Sequence, residues 1–159
     1  MSHNRIIILG VGNILLKDEG IGVHVVLELQ KQKLPSNVEV IDAGTASLNI
    51  LACLNNTKKL IIIDAVKGRR NPGMIYRIYP NDLENLEDKD SLSLHQIDVM
   101  QSLRIIAKTS GLPDEVVIIG IEPENIEWGT ELSNKLKSKI PQVVSRVLKE
   151  IDITNNTAN

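Results

Sequence analysis

Phenylalanine is absent from this chain, tyrosine occurs twice and tryptophan once. The interior therefore has to be built from Ile, Val and Leu, and such β-branched content favours buried strands. Cysteine occurs once, as Cys53, which excludes an intrachain disulfide and any all-cysteine metal site. It sits among apolar residues in an expected helix, the setting of an inert buried thiol. No basic run is present that would neutralise a phosphate backbone, and at a formal net charge of −2 nucleic acid is not an expected partner. The tightest basic cluster, Lys67, Arg69 and Arg70, reads as a solvated loop. No N-terminal apolar stretch is long enough to span a bilayer, and the short run Ile6 to Leu9 lacks the layout of a signal peptide. No membrane partner is expected, and the cytoplasm is the expected location.

What is present is an alternation of short aliphatic runs with helical periodicity. With 159 residues the chain is long enough for one domain with a proper core and too short for two of ordinary size. Residues 1–153 are expected to form a single domain and the polar residues 154–159 a disordered tail. The run Arg5-Ile-Ile-Ile-Leu-Gly10 reads as a central strand buried on both faces. After a loop to Gly20, Ile21, Val25, Val26 and Leu29 recur at helical spacing. Val38 to Ile41 reads as strand two, Leu48 to Leu54 as a helix, and Lys59 to Ile63 as strand three. Alternation of this kind specifies a parallel sheet covered by helices, an α/β class. The strand Met74 to Tyr79 follows a loop with Asn71-Pro72-Gly73 that is too short for a crossover helix, so it is expected to be antiparallel and near an edge. Ser93 and Gln96 form a capping box that puts His95 in a first helical turn, with Val99, Leu103 and Ile106 as the apolar stripe. A fifth strand, Val116 to Ile121, precedes a last helix from about Leu132 to Ile151, in which Pro141 is expected to introduce a kink.

In an open parallel sheet ligands bind beyond the carboxyl ends of the strands, which directs attention to Asp18 and Glu19 after strand one, Asp42 after strand two, Asp64 after strand three and Glu122 after strand five. His95 can reach the same edge. Two carboxylates and an imidazole suit a divalent transition metal such as zinc or nickel. Asp42 has an equally good reading as a helix cap, whereas Asp64, a carboxylate behind a run of aliphatics, needs a partner. His3 and His24 have weaker claims. The pair Gly10-Val11-Gly12 suggests a dinucleotide loop, but Leu15 stands where the third glycine belongs, and Asp18 and Glu19 would put negative charge where a pyrophosphate would sit.

The stretch Gly10-Val-Gly-Asn-Ile-Leu-Leu-Lys-Asp-Glu-Gly-Ile-Gly22 resembles the opening motif of the hydrogenase maturation proteases. The resemblance continues through Asp42-Ala-Gly-Thr45, Ile63-Asp-Ala65, Leu94-His-Gln96, Gly120-Ile-Glu-Pro-Glu124, Trp128-Gly129 and Leu132-Ser133. It implies a three-layer α/β/α sandwich with a five-stranded, mostly parallel sheet. It also implies an endopeptidase that removes a C-terminal extension from the nickel-loaded large-subunit precursor of a [NiFe]-hydrogenase. The family's metal-contacting trio maps onto Glu19, Asp64 and His95, the residues that strand-end reasoning had already singled out, and Asp42 and Thr45 fall in a stretch that helps dock substrate. Such chemistry fits a chain with no Ser or Cys beside a convincing His partner and no His-Glu-x-x-His motif. Nickel, brought by the substrate, would polarise the scissile carbonyl or activate a water; another divalent metal could replace it in vitro. The alternatives are a non-catalytic, metal-recognising chaperone of hydrogenase assembly, a nucleotide-binding regulator, and an unrelated hydrolase on the same fold.

Overall fold

A computed structural model describes residues 4–45, 54–82 and 94–157, with residues 94–98 described by their backbone only. The five strands are β1 (Arg5–Val11), β2 (Val38–Gly44), β3 (Thr57–Ala65), β4 (Ile75–Ile78) and β5 (Glu115–Ile121). They form one sheet in the order β2-β1-β3-β5-β4. All pairings are parallel except β4 with β5. The antiparallel edge strand follows from its connection: nine residues separate Ala65 from Ile75, too few to carry a helix back across the sheet. β1, β3 and β5 have neighbours on both sides and helices above and below, which is why their interiors are uninterrupted Ile, Val and Leu.

Alternation along each strand divides the core in two. Ile6, Ile8, Ile61, Ile63, Val117 and Ile119 face α1 (Ile21–Leu29) and α3 (Asn134–Thr157), which supply Val25, Leu29, Leu136 and Val147. Ile7, Leu9, Leu60, Ile62, Val116 and Ile118 face α2 (Leu94–Thr109), which supplies Val99, Met100, Leu103 and Ile106. The result is the three-layer α/β/α sandwich, with the five-stranded mixed sheet as its middle layer. The expected helix from Leu48 lies outside the described residues up to Leu54, as do Cys53, His3 and Ser93.

The last helix differs from expectation at both ends and runs unbroken through Pro141. It starts at Asn134 because Ser133 caps it: the Ser133 hydroxyl accepts from the Leu136 amide at 3.3 Å. It continues to Thr157, so the expected disordered tail from Thr154 is corrected for Thr154–Thr157. The physical reason is side-chain pairing that polar composition conceals. Buried Thr154 donates to the Glu150 carbonyl at 3.0 Å, and Asn155 Oδ1 accepts from Asn37 Nδ2 at 2.9 Å. Among the described residues no helix is long and apolar enough to cross a membrane.

Candidate active site at the carboxyl edge of the sheet

The chain leaves β1 for β2 on one side of it and then returns to β3 on the other. The crevice between the carboxyl ends of β1 and β3 is therefore the switch point of the sheet, where α/β folds bind ligands. The register sets Gly10 beside Ile63, so Asp64 stands one residue further on, where β1 passes into the loop that carries Glu19. That loop closes with a 3-10 turn, Lys17–Gly20, which packs against β3. Glu19 and Asp64 are only 7% and 5% exposed, two buried carboxylates on segments that meet at this edge of the sheet. Asp64 Oδ1 accepts from the Ala65 amide at 2.8 Å.

Close backbone packing holds the turn in place, and this is the role of the glycines that suggested a dinucleotide loop. A Cβ on Gly12, which has φ +142°, would come within 1.9 Å of the Glu19 carbonyl oxygen. A Cβ on Gly22 would meet the carbonyl oxygens of Ile63 and Val11 at 2.1 and 2.4 Å. The start of α1 thus rests directly on the strand ends, leaving no gap for a phosphate between helix and sheet.

Asp18 and Glu122, raised with the other strand-end acids, are structural. The fully buried Asp18 carboxylate accepts from the amides of Glu124 (3.0 Å), Asn125 (2.8 Å) and Ser133 (2.7 Å). Through Ser133 it takes up the amide just ahead of α3, and through Glu124 and Asn125 it fixes the loop between β5 and α3 against the Glu19 turn. Glu122 Oε2 accepts from the Gly68 amide at 2.7 Å and from the Tyr76 hydroxyl, which ties the β3–β4 connection to the end of β5.

Asp42 stands at the carboxyl end of β2 beside Gly10. It is exposed, and its carboxylate accepts from the Gly44 amide at 2.9 Å, forming a side-chain turn. Asp42 and Thr45 line a shallow cleft of about 300 Å³ together with Gly12, Ile14, Leu15 and Val23. It opens beside the Glu19 loop, which brings both expected substrate-binding positions to the edge that carries the two acids.

His95 lies in the first turn of α2, and its side chain is outside the described residues. Strand alternation puts Asp64 on the sheet face that α2 covers, since it follows Leu60 and Ile62. Because α2 ends at Thr109, a short connection from the start of β5, its first turn stands at the opposite, carboxyl edge. Among the described residues no group of three His, Cys, Asp or Glu side chains gathers in a way that could hold a metal. His24 is half-buried in α1, and its Nε2 has no hydrogen-bond partner. Burial, and then the charge of Lys137, lowers its pKa.

Sequence reasoning missed a second polar cluster. At the far end of the sheet the fully buried Lys59 reaches Glu150 at 2.6 Å and Glu115 at 3.1 Å, and Arg77 joins Glu150 from β4. The only signal was a lysine heading an aliphatic strand.

The family model described as hydrogenase maturation protease matches residues 23–150. The chain is 35% identical to the hydrogenase 2 maturation protease of Escherichia coli over 146 residues, covering 91% of this chain and 88% of that protein. It is 33% identical to a putative hydrogenase maturation protease of Methanocaldococcus jannaschii over 156 residues, covering 95% and 99%. The solved structure of the hydrogenase maturating endopeptidase HybD from E. coli superposes with a TM-score of 0.86 at 33% identity, over 94% of this chain and 93% of that one.

Proposed function

This chain belongs to the hydrogenase maturation protease family, and from that premise we propose that it removes the C-terminal extension of a nickel-loaded [NiFe]-hydrogenase large-subunit precursor, with Glu19, Asp64 and His95 ligating the nickel of the substrate. The carrying observation is the pair of buried carboxylates, Glu19 and Asp64, at the switch-point crevice. Two carboxylates brought to one sheet edge supply oxygen donors of the kind a divalent cation takes, and an imidazole completes a donor set suited to nickel.

The nickel is cargo of the precursor and, when seated, supplies Lewis-acid polarisation of the scissile carbonyl or of the attacking water. The chain's own contribution is positional. The Glu19 turn and the end of β3 hold their carboxylates on a rigid sheet edge, and one of them takes up the proton that the attacking water releases. Asp42 and Thr45, in the neighbouring cleft, receive the substrate chain near the cut. A precursor that carries its own metal makes cleavage conditional on nickel insertion, and the cytoplasm is where such a precursor is assembled.

The test is the intact mass of the precursor, nickel-loaded or nickel-free, after incubation with the protein and with Asp64→Asn. A shortened product is expected only from the wild type with nickel-loaded precursor. Glu19→Gln and His95→Ala should likewise abolish cutting at unchanged circular dichroism. Stable binding without cutting would make the protein a chaperone of assembly, and normal cutting by the three variants would overturn the site.

A further inference from the structure

The chain's single tryptophan, Trp128, is 79% exposed. In a protein without phenylalanine, the largest apolar side chain has been kept out of the core. It is joined at the surface by Ile126 on the same loop and by Ile14 and Leu15, the latter two 46% and 50% exposed. The two loops are stitched together. The Gly129 amide donates to the Leu15 carbonyl at 2.9 Å, and the Lys17 amide donates to the Gly129 carbonyl at 2.9 Å. The Lys17 ammonium pairs with Glu127, and buried Asp18 grips the loop on both sides of Trp128, at Glu124, Asn125 and Ser133. An exposed tryptophan on a loop fixed this firmly is pre-organised for contact, since little ordering is left to be lost on binding.

We propose that Trp128, with Leu15 and Ile14, is the anchor that seats an apolar patch of the folded large-subunit precursor beside the crevice. The proposal rests on the function given above. The occupant follows from continuity: Lys17 and Asp18, which hold the tryptophan loop, directly precede Glu19, so a protein bound at the crevice lies over the patch. It follows also from charge, because Lys17 and Glu127 at its rim neutralise each other and leave an apolar surface to be matched. Central interface tryptophans surrounded by aliphatic contacts commonly dominate such binding. Trp128 is a positioning residue in this scheme and touches no reacting atom.

A single tryptophan makes the test direct. The protein is labelled with 5-fluorotryptophan, which gives one fluorine resonance, and a soluble paramagnetic agent is added with and without saturating nickel-loaded precursor. Protection of the resonance by the precursor is expected. In steady-state processing Trp128→Ala should raise KM about 30-fold, the size expected for a hot-spot tryptophan, with kcat within about twofold and Trp128→Phe recovering most of the loss. A resonance that stays accessible overturns the proposal, as does an unchanged KM or a defect confined to kcat. Protection that grows with enzyme concentration without precursor would assign the patch to a second copy of this chain, and also overturns it. Cutting with an accessible Trp128 sinks the anchor alone, and protection without cutting sinks the endopeptidase reading alone.

Discussion

The two ends of the sheet bury acids in opposite ways. At the amino end, Glu150 is matched by cations, Lys59 beside it at 2.6 Å and Arg77 across the edge. At the carboxyl end, Asp18 and Glu122 are held by backbone amides and a tyrosine hydroxyl. Pairing by side-chain cations cancels charge and serves stability, whereas satisfaction by amides holds a carboxylate in place without cancelling its charge. The amide-held acids fix loops around the crevice, and the cation-paired acid at the other end locks α3 to the sheet.

The comparison breaks most sharply at Lys59. Lys59→Ala leaves Glu150 with Arg77 as its remaining cation and a gap where the fully buried side chain stood, a loss of about 3 kcal/mol. Urea unfolding should show that loss, while the folded fraction processes precursor at the wild-type rate because the crevice is at the other end. Asp18→Asn is expected to cost less, about 2 kcal/mol, since one amide is left facing an NH₂ group. It should nevertheless depress processing far more than Lys59→Ala, because the Glu19 turn loses its fixture. Equal effects of the two variants on processing would remove the distinction between the ends.

Much of this division was invisible in the sequence, for a physical reason. Aliphatic runs report burial, so the strands, the antiparallel edge and the faces of α1 and α2 could be read directly. Glu19 and Asp64 could be found because acids at strand ends stand out against their neighbours. The sequence does not say which of the adjacent Asp18 and Glu19 is wired to amides, since the donors lie 106 to 115 residues away. Lys59 looked like the polar start of a strand, and its burial depends on Glu150 arriving from α3. The ending of α3 was hidden for the same reason, because Thr154 and Asn155 are polar but partnered.

The smallest expected effect is on pH dependence. Burial pushes the Glu150 carboxyl up, but hydrogen bonds from Arg77 and Lys59 outweigh it and leave the group below the ordinary range. A carboxyl depressed in the folded state contributes stability that is fully present above its unfolded pKa, near 4.3, and is lost as pH falls through the folded value. Wild type should therefore lose stability below about pH 4.3 more steeply than Glu150→Gln, as thermal melts over that range would show. Identical slopes would mean that the amino-end network is not what acid dismantles.

The bonds from Asp18 to Glu124, Asn125 and Ser133 also bear on when during synthesis the protein becomes competent. A ribosome adds roughly 5–20 residues per second, so the growing chain carries Glu19 for several seconds before the segment that seats it exists. Through that interval the crevice has acids but no frame. The nascent polypeptide is thus inert towards precursor until the loop bearing Trp128 and the start of α3 have emerged, and one carboxylate sets the order in which the chain becomes an enzyme.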